Sequence, residues 1–240
     1  MIKTIFWAVR LIFSLIINEP VLWHTNRLIK RGMIKEHDNF AYRKVSNWAG
    51  FVMRSTHAKI NIYGLENLPK DGAMLFVSNH QSNFDIPLLL SSIPVPKGFI
   101  AKKELEKVPF ISKWMKQIKC LFMDRDDMKQ SMQIIIEGIK LLKSGYSMVI
   151  FPEGTRSKGK GVSEFKSGSF KLATKAKVPI VPLTIDGTFK LFEGNGNRIA
   201  ADTVNLYIHK PIYTDNLTKE EETSLHTVVR DIIVSKLPNA

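Results

Sequence analysis

The chain reads as an α/β protein, a mostly parallel central sheet flanked by helices with a helical segment in front of it. Three observations lead there. From Lys59 onward, short apolar runs of strand length alternate with segments of helical period, which is the rhythm of strand–helix–strand units. Several of those runs end abruptly on polar or charged residues, the pattern of strands that leave a core at a ligand-binding edge. Finally, 240 residues suffice for one such domain with a sizeable core and leave no room for two. The expected division is a helical segment over 1–57 and the α/β domain over 58–240.

Residues 1–17 are strongly apolar but are interrupted by Arg10 and are shorter than the roughly 20 residues a spanning helix needs. Asn18-Glu19-Pro20 follows, which is no signal-peptidase site. A second segment, Phe40 to Ser55, places Tyr42, Val45, Trp48, Ala49, Val52 and Met53 on one helical face. Residues 1–60 carry ten basic side chains against three acidic ones. Basic helices rich in Trp and Phe suit the surface of an anionic membrane, so the expectation is a helical pair lying in that interface without crossing it. Packing of the same helices on the domain is the alternative.

In the domain, Ile60–Tyr63 reads as a short strand and Gly64–Gly72 as a turn-rich connection. Ala73–Val77 is a buried strand running into Ser78-Asn79-His80, and Asp85 to Ser92 is a helix stopped by Pro94 and Pro96. Gly98–Ala101 is the next strand, with Lys102 and Lys103 at its end. A helix to about Gln117, a strand over Cys120–Met123 and Asp124-Arg125-Asp126 follow. Met128, Met132, Ile135, Ile136, Ile139 and Leu142 form a helical stripe closed by Gly145. Met148–Phe151 is a strand ending in Pro152-Glu153-Gly154-Thr155-Arg156, and 165–175 is helical. Val178–Ile185 holds Pro179 and Pro182, which predicts an edge strand or a kinked crossing. Thr203–His209 is the last strand, and Thr218 with Glu221 has capping-box spacing before the C-terminal helix.

Composition narrows the partners. Thirty-five Lys and Arg against 22 Asp and Glu give a net +13, which favours anionic ligands. Zinc-finger spacing, an RNA-binding aromatic signature and a basic tail are all missing from the sequence, so nucleic acid is not the expected partner. Cys120, the single cysteine, permits no internal disulfide, and its apolar surroundings mark it as a buried structural thiol. No cluster with metal-ligand spacing and no cofactor fingerprint occurs, so neither a metal nor a cofactor is expected.

The predicted strand ends carry the chemistry. His80 with Asp85 reads as a base and its orienting acid, although an aspartate before Ile86-Pro87 is also an ordinary helix N-cap, and these residues alone support both. Arg125 and Arg156 have planar forks suited to phosphate or carboxylate. There is no Gly-x-Ser-x-Gly elbow and no phosphate loop. A His–Asp pair without a protein nucleophile fits a reaction in which the substrate's own hydroxyl attacks after giving its proton to the histidine.

Four blocks in one order resemble the glycerolipid acyltransferases. His80-Gln81-Ser82-Asn83-Phe84-Asp85 is similar to their His-x-x-x-x-Asp signature, and Phe122-Met123-Asp124-Arg125 to their second block. Phe151-Pro152-Glu153-Gly154-Thr155-Arg156-Ser157 matches the third, and Val178-Pro179-Ile180-Val181-Pro182 resembles the fourth. Phe122-Met123 replaces a more usual β-branched pair, and Met148 opens the third strand, departures that touch no charged position. Within the family the bacterial 1-acyl-sn-glycerol-3-phosphate acyltransferases are most similar.

The resemblance implies a glycerol-3-phosphate acyltransferase-like fold. It implies acyl transfer from acyl-CoA or an acyl-carrier protein to the sn-2 hydroxyl of lysophosphatidic acid, giving phosphatidic acid in phospholipid biosynthesis. His80 and Asp85 would be catalytic; Arg125, Arg156 and Lys102 would hold the acceptor phosphate, with Glu153 and the Gly154-Thr155 backbone shaping its pocket. It further implies peripheral or monotopic attachment at the cytoplasmic face of a bacterial inner membrane. The same chemistry on glycerol 3-phosphate or another lysophospholipid, and a non-catalytic membrane-binding protein, are the rival expectations.

Overall fold

The computed structural model describes residues 2–238. Its seven strands are β1 (Lys59–Tyr63), β2 (Leu75–Ser78), β3 (Lys97–Lys102), β4 (Leu121–Met123), β5 (Ser147–Ile150), β6 (Ile180–Asp186) and β7 (Thr203–Ile208). They form one sheet in the order β1-β7-β6-β2-β5-β3-β4. From β6 to β4 all neighbours are parallel, and β7 joins β6 antiparallel with β1 parallel to β7. The ends of β6, β2 and β5 are therefore adjacent on one edge, with β2 in the middle.

Helices cover both faces, which is why β2 is apolar on consecutive residues. The side chain of Phe76 packs on one face with α3 (Ile34–Ser55), α4 (Asp85–Ser92) and α5 (Ile111–Gln117). Leu75 and Val77 pack on the other with α6 (Met128–Lys143), α7 (Lys171–Ala176) and α8 (Lys219–Val234). The Thr218–Glu221 capping box at the start of α8 forms as the spacing predicts. Cys120 is free and buried, and burial pushes its thiol up to about 12.

Three expectations are corrected. β6 is not an edge: it lies between β2 and β7 with six of its seven residues buried. Pro182 is tolerated there because it lies just past the antiparallel ladder to β7, whose last pair is Leu183 opposite Ile208, so its missing N–H costs one bond at the ladder's end and none within it. Its carbonyl still accepts from the His209 N–H at 3.0 Å. In α6 the buried face is Ile134, Gly138 and Leu142, while Met128, Met132 and Ile136 of the expected stripe are exposed. In α3 the apolar face does not meet a membrane: Ala41, Tyr42, Val45, Ala49, Val52 and Met53 belong to the core cluster shared with α4.

Lys97, wholly buried, fastens this side of the molecule. Its ammonium donates to the Tyr42 hydroxyl at 2.5 Å and to the carbonyls of Ile93 and Val95 at 2.8 and 3.0 Å. The Tyr42 hydroxyl donates to Ile93 O at 2.6 Å, so α3 and β3 together hold the C-terminal end of α4. Burial drives the Lys97 pKa well below its ordinary value.

α1 (Ile2–Ile17) and α2 (Glu19–Lys30) precede α3, and Ile2–Lys30 is long and apolar enough by length and composition to cross a membrane. α1 nevertheless lies along the domain. Trp7 donates to Ser55 Oγ at 2.6 Å, Trp48 donates to Ser14 Oγ at 2.9 Å, and the Thr4 hydroxyl accepts from the Ile199 N–H at 3.2 Å. Its outward face is bare: Ile5, Phe6, Val9, Ile12, Phe13 and Ile16 are exposed.

Candidate active site

The loop between β2 and α4 carries His80 at the middle of the sheet edge, and β6 holds it from one side. Asn79 donates to Ile185 O and accepts from Ile185 N, both at 2.8 Å, and Gln81 Oε1 accepts from the Gly187 N–H at 3.0 Å. These bonds extend the β2–β6 pairing past the last ladder residue, so the loop leaves the sheet without freedom to sag.

Asp85 does not cap its helix. It is the first residue of α4, the N-cap being Phe84, and its carboxylate turns back along the chain instead of capping the helix. Oδ2 accepts from the N–H groups of Gln81 and Ser82 at 2.7 and 3.0 Å and lies 2.7 Å from His80 Nδ1. The Thr188 hydroxyl donates to Oδ1. The acceptor nature of Oδ2 assigns the ring proton to Nδ1, which leaves Nε2 as the free base. The imidazole stacks on Phe151 with centroids 4.1 Å apart and an interplanar angle of 17°, so its plane is fixed from below. With the His80 side chain 17% exposed and Asp85 at 0%, only the base reaches solvent.

β5 supplies the opposite wall. Glu153 is buried, and its oxygens accept from the N–H groups of His80 at 2.7 Å and Ser163 at 3.0 Å. Burial raises its pKa, and those two backbone donors oppose the rise. Gly154, at φ +72°, turns the chain so that its carbonyl accepts from the Arg125 guanidinium at the end of β4. Thr155 is exposed next to it. Arg156 binds Glu193 Oε1 at 3.1 Å and is one-third exposed. Lys102 stands at the end of β3 but is turned to Glu104, 2.6 Å away, and touches none of the other candidate residues.

Two residues that sequence reasoning did not single out complete the site. Thr188 follows Gly187, whose φ of +95° and 2.4 Å separation of a would-be Cβ from Thr203 O demand glycine. The β6 end is thereby bent so that the next hydroxyl reaches Asp85. Glu193 accepts from Ser82 Oγ at 2.6 Å, Asn83 N–H at 3.1 Å and Arg156, tying the arginine to the histidine loop, which lies more than a hundred residues before Glu193 in the chain. Neither lies in a recognisable spacing with His80, so only the fold brings them there. Among the described residues no group of three His, Cys, Asp or Glu could hold a metal ion.

A family model described as Acyltransferase matches residues 59–186. The 1-acyl-sn-glycerol-3-phosphate acyltransferase of Borreliella burgdorferi is 30% identical over 194 residues, 81% of this chain and 75% of that protein. The chloroplastic enzyme LPAT1 of Arabidopsis thaliana, with the same activity in its name, is 41% identical over 157 residues, 65% of this chain and 44% of its own length. The chain thus spans less than half of the plant relative and three quarters of the bacterial one. The crystal structure of the 1-acyl-sn-glycerophosphate (LPA) acyltransferase PlsC from Thermotoga maritima is similar with a TM-score of 0.80 and 26% identity, covering 98% of this chain and 94% of that one.

Replacing Thr188 by valine keeps the volume but leaves Asp85 Oδ1 buried without its donor. The expected loss is about 1 to 3 kcal/mol of folding stability, read as a lower denaturant midpoint, with Thr188→Ser near the parent.

Proposed function

The chain belongs to the Acyltransferase family, and from that premise we propose that it transfers a fatty acyl group from a thioester to the sn-2 hydroxyl of 1-acyl-sn-glycerol 3-phosphate, giving phosphatidic acid. The observation that carries the reading is the free Nε2 of an oriented His80 on the same sheet edge as two arginines. The relatives named for this activity support the choice of acceptor.

In the reaction, His80 Nε2 takes the proton of the acceptor hydroxyl as its oxygen attacks the thioester carbonyl carbon. The C–O bond forms and a tetrahedral oxyanion results. When that collapses, the C–S bond breaks, and the thiolate leaves with the proton returned by the imidazolium. Asp85 stabilises the imidazolium through Nδ1–H and prevents the ring from turning. Arg156 and Arg125 receive the acceptor phosphate, and Glu193 keeps the Arg156 fork aimed across the histidine loop. Glu153 acts on the backbone: both oxygens hold N–H groups, so it shapes the pocket without meeting the phosphate. Lys102 is free to join only by leaving Glu104. The thiol carrier is CoA or an acidic acyl-carrier protein, both anionic and both suited to a chain of net +13.

The acceptor and product are lipids, and the bare apolar face of α1 gives the enzyme its grip on the bilayer. α1 lies against the domain instead of standing away from it, which favours attachment to one leaflet, at the face where the cytoplasmic thioester is available.

His80→Ala is expected to remove nearly all acyl transfer to lysophosphatidic acid, about a hundred- to ten-thousand-fold, with unchanged circular dichroism. Parental activity in that variant would refute the assignment. Arg156→Ala is expected to raise the KM for lysophosphatidic acid far more than the KM for the thioester. Equal increases would remove this residue from the phosphate pocket.

A further inference from the structure

At the bend between α1 and α2 a second polar site stands apart from His80. Ser14 and Asn18 from the bend, and Trp48 and Phe51 from α3, line a crevice of about 270 Å³ with Lys44 on its rim. Its walls are fixed: the Trp48 indole N–H donates to Ser14 Oγ at 2.9 Å, and the Asn18 amide donates to Ser14 O at 2.7 Å. Two cations flank it. The Arg10 guanidinium lies 5.6 Å over the Phe51 ring and the Lys44 ammonium 5.4 Å over the Phe40 ring. Among the described residues neither has a carboxylate partner.

The helical turn of α1 puts this crevice at a defined depth. Trp7, Leu11 and Leu15 face inward, and Ile5, Phe6, Val9, Ile12, Phe13 and Ile16 face outward at 47–64% exposure. Arg10 and Ser14 fall between the two faces, on the flank toward α3. With the outward face sunk at the acyl boundary, that flank stands at the level of the headgroup phosphates. We propose that the crevice binds the phosphate of an anionic bilayer phospholipid, held between Arg10 and Lys44 over the Trp48–Phe51 floor. The inference rests on the membrane attachment proposed above. Two unpaired cations over aromatic rings match a phosphodiester in charge and donors, and the acyl chains of a lipid continue onto the apolar face of α1, which free phosphate cannot use. The site recognises the bilayer and is distinct from the acceptor pocket.

The test is co-sedimentation of the full chain with vesicles of phosphatidylcholine alone or with phosphatidylglycerol added. The pair Arg10→Gln and Lys44→Gln is compared with Lys30→Gln and Lys35→Gln, which remove the same charge from exposed helix positions outside the crevice. A diffuse attraction costs about fivefold per charge wherever the charge stands, so both pairs would then lose alike. A site costs the crevice pair at least about tenfold more than the control pair, because charge-assisted bonds go with the charge.

Brominated phosphatidylglycerol should quench the indole emission of the parent more than that of Trp48→Phe, and millimolar inorganic phosphate should not relieve the quenching. Equal losses in the two pairs, or displacement by inorganic phosphate, overturn the proposal. The crevice pair should keep parental acyl transfer on detergent-dispersed lysophosphatidic acid. Vesicle binding is read without turnover, so a failed reaction assay in the parent would bear on the reaction alone.

Discussion

The carboxylate of Asp85 is the constraint on which the site depends. It is fully buried and accepts from two backbone N–H groups, one hydroxyl and one imidazole. A buried carboxylate is tolerable only when its lone pairs are used, and here the four donors answer three different demands of the fold. The Gln81 and Ser82 amides close the turn into α4. Thr188 brings in the end of β6. His80 is the one donor that can exchange its partner role for chemistry, since its other nitrogen faces outward. The end of α4 remote from Asp85 is held in turn by Tyr42 and Lys97, so the helix presenting the carboxylate is anchored at both ends.

The helix with the bare apolar face and the loop that carries His80 are in direct contact. Trp7 of α1 packs against Phe84, centroids 5.9 Å apart, and Phe84 immediately precedes Asp85. α2 and α3 are further tied to α5 through Asn26, His37 and Gln117, and through Glu19 and Lys113. A helix so fastened cannot reorient without carrying the His80 loop with it. On the proposed membrane attachment, the sheet edge would therefore stand at a set height above the leaflet, and the basic excess of the first sixty residues would favour an anionic surface.

Much of this was legible in the sequence, because strand ends on a parallel sheet convert linear order into a shared edge. The apolar run into His80, the Asp124-Arg125 end and the Glu153–Arg156 end are each local patterns, and the structure brings them together as parallel pairing requires. What was not legible depends on distant partners. Pro182 reads as an edge signal unless one knows that the β6–β7 ladder ends one residue away, at Leu183 opposite Ile208. The outward face of α1 and the inward face of α3 are both apolar, and it is the packing of α4 on α3 that makes one a core face and leaves the other exposed. In α6 the period was right but its phase was not, since Gly138 rather than a large residue lies against Leu172. Glu193 has no local mark at all; its role exists only because Ser82, Asn83 and Arg156 converge on it.

The role proposed for the Asp85 carboxylate is to make His80 a base by holding its proton on Nδ1. Asp85→Asn tests this most directly, because it preserves size while removing one acceptor oxygen and the negative charge. Nitrogen-detected magnetic resonance of the His80 ring should show the parent protonated on Nδ1 and the variant losing that preference. Acyl transfer should fall by up to about ten-thousand-fold, as when the orienting acid of a comparable pair is neutralised, while the fold survives. A variant that kept the parental tautomer and the parental rate would show that Asp85 does not set the base.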